Sequence, residues 1–240
     1  MHPRLLPVLR ISRYVLIGGI IVLAALVGIY LLEKDTTPRT ELERAMLAAE
    51  DAVRANPESS SARIKLAAAY LESGALASAE DQALYAVRLA PEDPAAYYVL
   101  GLVKSRRGET DAAIENLKRA VEMEGQLAGF YQDASAALAL VYEDAERWDD
   151  ALAAMDEALD YGPENARMLL LRAGMYERRE AWADALYDYV QAVRFTPELD
   201  EAREGISAIT SSHQEAVEEM EQRFGVRLDG SFVDTGTAGF

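Results

Sequence analysis

The sequence predicts an all-α protein: an N-terminal transmembrane helix, then a solenoid of stacked helical hairpins closed by a C-terminal capping helix. Three observations carry this. A 34-residue period pairs Tyr142 with Tyr176, Trp148 with Trp182, Ala151 with Ala185, Ala158 with Ala192 and Pro163 with Pro197. Earlier in the chain it pairs Leu66 with Leu100, Gly74 with Gly108 and Ala86 with Ala120. A fixed period of this length marks supersecondary units too small to bury their apolar faces alone, so that they must stack. Tyr14 to Leu32 is a run of 19 uncharged residues. No segment carries the period-two alternation of a strand.

The first 13 residues hold Arg4, Arg10 and Arg13 and no acid. The run 14–32 that follows, at 1.5 Å rise per residue, nearly spans a hydrocarbon core of roughly 30 Å. Tyr14 and Tyr30 stand near its ends, where amphipathic rings favour the headgroup region. A cleavable signal peptide would carry an apolar run of about 7–15 residues and then a small-x-small site. This run is longer and ends in Tyr30-Leu31-Leu32-Glu33, so it reads as an uncleaved anchor. Three arginines before the span, against Lys34 and Arg39 after it, place residues 1–13 in the cytoplasm and the remainder outside it by the positive-inside rule. The expected location is a bacterial-type inner membrane, with the repeats periplasmic. Gly18, Ala24 and Gly28 are candidates for close helix–helix contact in the membrane, Ala24 and Gly28 at small-xxx-small spacing.

Residues 33–40 form a polar linker in which Pro38 stops the membrane helix. Thr40 and Glu43 have the spacing of a capping box, which starts an N-terminal capping helix over 41–57. Its Ala45, Ala49, Ala52 and Pro57 lie 34 residues before Ala79, Ala83, Ala86 and Pro91, so it matches the second helix of a hairpin. Four fuller units follow at 60–93, 94–127, 132–165 and 166–199. The first has Leu66-Ala67, Tyr70, Gly74, Ala79, Ala86 and Pro91; the second Tyr97, Leu100-Gly101, Gly108, Ala113, Leu117 and Ala120. The third has Leu138-Ala139, Tyr142, Ala151, Met155, Ala158 and Pro163; the fourth Leu169, Ala173, Tyr176, Ala185, Tyr189, Ala192 and Pro197.

This order resembles the tetratricopeptide repeat (TPR), in its membrane-anchored extracytoplasmic form. The TPR pattern sets a large residue, Leu-Gly/Ala and Tyr on one helix, then Ala, a bulky residue, Ala and Pro on the next. Ala67, Gly101, Ala139 and Ala173 fall where paired helices cross and a larger side chain would force them apart. Four departures stand out: Arg63 and Ser135 replace the first large residue, Lys104 a Tyr and Arg172 a Leu. Between Gly125 and Pro163 there are four extra residues, expected as a lengthened turn around Gly125 and Gly129 that bends the stack. A longer capping helix is expected over 199–224, with Ile206, Ile209, Val217, Met220 and Phe224 inward and Glu201, Glu204, Glu215, Glu218 and Glu219 outward. Gly225 stops it, and 225–240 is read as a flexible tail.

Function follows from what is present and missing. The net charge of −17, with all 41 acidic residues after residue 32, repels phosphate backbones and argues against nucleic-acid binding. There is no cysteine, which removes disulfides, thiolate metal sites and a Cys nucleophile. His2 and His213 stand alone without metal co-ligands, and pairs such as Glu143/Asp144 and Asp149/Asp150 point apart on a helix. No catalytic residue, metal or cofactor is therefore expected, and an enzyme is the disfavoured reading. Trp148 and Trp182 are read as packing anchors.

The TPR resemblance implies a binding scaffold whose concave face is lined by first helices. Placed on this chain, that rule selects Ile64, Ala68, Leu71, Tyr98, Leu102, Arg106, Ala136, Leu140, Glu143, Arg167, Leu170 and Arg178. Such an apolar lining suits an amphipathic helix or an extended apolar segment of a protein partner. The competing occupants are the chain's own helix 41–55 and its tail. The leading expectation is an adaptor assisting assembly or maturation of a membrane-protein complex or an exported protein. The alternative is a constitutive accessory subunit of a larger membrane enzyme, such as a respiratory one.

Overall fold

The computed structural model describes residues 40–123 and 128–232. The expected segment 1–13, the transmembrane helix 14–32 with Gly18, Ala24 and Gly28, and the linker up to Arg39 lie outside the described residues. So do 124–127 and 233–240. Among the described residues no helix is long and apolar enough to cross a membrane.

Eleven helices are seen among the described residues: α1 Glu41–Ala55, α2 Ser60–Glu72, α3 Leu76–Leu89, α4 Pro94–Arg106, α5 Thr110–Glu122, α6 Ala128–Asp144, α7 Trp148–Tyr161, α8 Ala166–Arg178, α9 Trp182–Phe195, α10 Asp200–Ser212 and α11 Glu215–Phe224. They pack as a stack of antiparallel hairpins, α2/α3, α4/α5, α6/α7 and α8/α9, with α1 against α2 and α10/α11 against α9.

Local chemistry repeats with the period. Thr40 Oγ1 accepts from Glu43 N at 3.1 Å while Thr40 N donates to the Glu43 carboxylate at 3.2 Å, closing the capping box of α1. Ser59 and Asp93, 34 residues apart, and Asn165, two periods plus the four inserted residues further on, cap α2, α4 and α8 with side-chain oxygens, satisfying amides that a helix start leaves bare. Each first helix ends on a left-handed residue, Gly74, Gly108, Glu146 and Glu180. Behind it the next N–H bonds back to the carbonyl of Tyr70, Lys104, Tyr142 or Tyr176 at 2.8–2.9 Å. A positive φ is free for glycine and strained for glutamate, so the last two turns are held by their flanking helices.

The crossing residues are buried as their size requires. Ala67, Ala139 and Ala173 are fully buried, and a methyl added to Gly101 would lie 2.7 Å from Leu117 Cγ. The core forms two clusters, one in α2–α4 and a larger one from α5 onward, and the Tyr98 ring packs against both.

The departures from the repeat are resolved by contacts. Arg63 acts as the large residue by stacking on Tyr85, 3.8 Å from the ring centre, and bonding to Gln82 at 2.7 Å. Lys104, in a Tyr position, bridges Glu80 and Glu109 at 2.5 and 2.6 Å. Ser135 is the exception: it is fully buried and its Oγ has no hydrogen-bond partner among the described residues. Arg172 grips the fully buried Asp188 through two bonds of 2.7 Å.

Two expectations need correction. The four extra residues do not all form a lengthened turn: α6 has 17 residues where α2, α4 and α8 have 13, so the insertion adds a helical turn containing Gly129. Side chains hold that turn. Phe130 meets Tyr98 edge-on at 5.7 Å, and Tyr131 stacks on Tyr161 at 5.0 Å. The single helix expected over 199–224 is two, α10 and α11, broken at His213. Thr210, Ser211 and Ser212 bond back to carbonyls of their own last turn, which competes with helix continuation. The His213 ring stacks on Trp182 at 4.0 Å and fixes the bend. The inward stripe is unaffected: Ile209 and Met220 are buried, and Ile206, Val217 and Phe224 pack against the core. Gly225 is left-handed and ends α11. Beyond it Val226 is buried and pairs with Phe232 in an isolated bridge, so the part of the 225–240 segment up to Phe232 is folded back.

Candidate protein-binding groove

The first helices form one layer, in which α2 touches α4 and α4 touches α6. Each second helix reaches the following unit through that unit's first helix. In a curved stack the more closely spaced layer is the inner one, so the faces of the first helices turned from their partners are the candidate groove.

Along α2, Ile64 and Ala68 are half-buried, whereas Leu71 is buried in the smaller core cluster and offers no surface of its own. On α4, Tyr98 and Leu102 are half-buried and Arg106 is exposed. On α6, Ala136 is buried and Leu140 is 37% exposed, a large value for a leucine in the middle of a packed helix. On α8, Leu170 is half-buried and Arg167 and Arg178 are exposed. Arg178 is not free, because it pairs with Glu143 across the junction between α6 and α8. Arg106 and Arg167 have no acidic partner among the described residues. Of the positions chosen from the repeat, Tyr98, Leu102, Leu140 and Leu170 keep apolar surface, and the cations Arg106 and Arg167 are unpaired among the described residues. Leu102 and Leu170 also brace the core, and Leu140 is the apolar member most open to solvent.

Burial raises the pKa of the Tyr98 hydroxyl, and the Asp133 carboxylate adds to this, so it stays protonated as a hydrogen-bond donor at neutral pH. Phe130, which packs beside Tyr98, escaped the repeat register because it lies on the inserted turn. Trp148 is half-buried, and Trp182 packs on the core and on His213, so neither is a groove position.

The comparisons with known proteins agree with the repeat fold. The tetratricopeptide repeat pattern matches residues 40–94 and 136–200, half of the chain. No curated protein matches the chain significantly. Among solved structures, MamA is 25% identical with a TM-score of 0.56, covering 66% of this chain and 90% of its own. YrrB, described as a TPR protein with an unusual peptide-binding site, is 22% identical with a TM-score of 0.54, covering 70% of this chain and 84% of its own. A thermophilic TPR protein of Thermus thermophilus is 21% identical with a TM-score of 0.59, covering 76% and 93%. With half its residues matched and one hairpin geometry repeated from α2 to α9, the chain belongs to the tetratricopeptide repeat family.

Proposed function

We propose that this chain is a membrane-anchored TPR adaptor that holds another protein along its first-helix face during assembly or maturation of a membrane or exported protein complex. Its anchor is residues 14–32, its N-terminus is cytoplasmic and its repeats lie outside the inner membrane. The carrying observation is Leu140, exposed on this face and flanked by Leu102 and Leu170. An exposed leucine between two half-buried ones favours an amphipathic helix or extended apolar segment, whose burial releases water from both surfaces. The peptide-binding site in the description of YrrB supports a peptide-like client.

Leu140→Glu, alone and with Leu102→Glu, tests this by co-purification in mild detergent. The helical circular dichroism of the single variant should match the parent, because Leu140 is the least buried of these leucines. Its partner should be lost, because a charge enters a contact that must shed water. A folded Leu140→Glu chain that retains its partner would move binding off this face. Recovery of one partner at constant stoichiometry would instead mark a permanent subunit.

A further inference from the structure

On the side of α8 turned away from the groove, α7 and α9 stand apart and leave an open cavity of about 630 Å³, lined also by Phe224 of α11. That volume lies within the range of about 300–1,000 Å³ usual for small-ligand pockets. Its floor is the Arg172 guanidinium, which bonds Asp188 at 2.7 Å and reaches Asp156 at 2.5 Å. At the equivalent positions of the preceding hairpin stand Leu138 and Ala154, an apolar pair. A buried ion pair is no more stabilising than such packing, so simple cohesion does not explain the polar floor.

The walls are aromatic. Tyr187 and Phe224 stack with centres 4.3 Å apart, Tyr176 borders the floor, and Phe195 is 37% exposed. Negative charge exceeds positive along this open cleft. Arg172 is spent on Asp188 and Asp156, and Arg223 from outside holds Asp184 at 2.8 and 2.9 Å. Asp160 is exposed and has no cationic partner among the described residues, while Asp156 remains 53% exposed beside it. An anion would be repelled here, and a neutral apolar guest would leave these carboxylates to be desolvated without compensation. An elongated cation meets both demands, its charge at the carboxylates and its stem on the ring faces.

We propose that this cavity is a second binding site, taking an alkylguanidinium or alkylammonium group, with Asp160 and Asp156 receiving the charge and the Phe195 and Tyr187–Phe224 rings the stem. The site is independent of the groove and lies on the opposite face of α8. Two sources carry this chemistry, a basic side chain of a polypeptide and a free polyamine.

Isothermal titration of the full chain in non-ionic detergent, with spermidine and with an acetyl-Gly-Gly-Arg-Gly-Gly-amide peptide, distinguishes them. At least one probe should bind saturably, and replacing the peptide arginine by citrulline should abolish any peptide binding. Binding should fall about tenfold or more in Asp160→Lys, which reverses a charge at the site, and also in Phe195→Ala. Glu58→Lys, remote on the α1–α2 turn, should bind as the parent does. Asp160→Lys changes an exposed helix position and should keep the parental melting midpoint. Preference for spermidine assigns a small-molecule site, and preference for the peptide a polypeptide site. Absence of saturable binding by both probes at millimolar concentration overturns the proposal. So does unchanged binding in Asp160→Lys, equal binding of the citrulline peptide where only the peptide binds, or an equal loss in Glu58→Lys.

Discussion

Replacing Arg172 by leucine would give its position the residue carried by the other three units, Leu66, Leu100 and Leu138, yet the change should be among the most destabilising in the chain. Asp188 is 0% exposed and depends on the Arg172 fork, itself only 17% exposed, for both of its oxygens. Removing one partner of such a pair costs about 3–5 kcal/mol, because the remaining charge stays buried and uncompensated. Domains of ordinary stability hold only about 5–15 kcal/mol in reserve. The double variant Arg172→Leu/Asp188→Ala reproduces the Leu138/Ala154 pair of the third hairpin. It should recover to within about 2 kcal/mol of the parent, as replacements of buried ion pairs by apolar groups generally do. The coupling in this cycle should therefore be large.

Acidity provides an internal check on the same variant. Burial pushes the Asp188 pKa up to about 6 from 3.8, against the opposing hold of Arg172. The Arg172 pKa is itself raised: burial works against its charge, but its bonds to Asp188 and then Asp156 prevail. An acid whose folded pKa lies above its unfolded value contributes most stability below the unfolded pKa, and loses that contribution as pH rises through the folded one. In Arg172→Leu the burial remains and the guanidinium is gone, so the deficit should shrink as pH is lowered from 8 to 5. Urea unfolding of the full chain in detergent, followed by far-ultraviolet circular dichroism at both pH values, measures all four corners. A cost below about 1 kcal/mol for Arg172→Leu at pH 8, where the carboxylate is most fully charged, would refute the argument. A double variant no better than the single would refute it equally.

Other consequences are more local. Gly101→Leu and Ala173→Leu should each cost on the order of 1–3 kcal/mol by overpacking a helix crossing, while exposed Glu218→Gln should stay within about 0.5 kcal/mol in the same urea melts. Glu146→Gly and Glu180→Gly should each be neutral or stabilising by up to about 1 kcal/mol, since relief of a left-handed φ outweighs the added chain entropy. Gly74→Ala and Gly108→Ala should move the midpoint the other way. Protease added to intact spheroplasts should digest the repeats, and full protection with degradation after lysis would reverse the proposed topology.

What the sequence determined by itself was the stack. The caps at Ser59, Asp93 and Asn165, the left-handed turns at residues 74, 108, 146 and 180, and the small crossing residues all act within a few residues of themselves. Local rules therefore reached the helices and their register. They also reached the inward stripe of the C-terminal segment, though not its break, because the Trp182–His213 stack joins residues from different hairpins. The inserted residues were visible as a count. Whether they became a loop or a helical turn depended on rings for Phe130 and Tyr131 to meet, Tyr98 and Tyr161. The groove leucines were legible because one helix face repeats in each unit, but the burial of Leu71 and the tie between Arg178 and Glu143 were not. The cavity needed the tertiary structure altogether. Arg172 was recognisable only as a departure from leucine, and its meaning came from Asp188 on the next helix and Asp156 on the preceding hairpin. Charges with no local attraction are brought together only when packed hairpins leave them no other place.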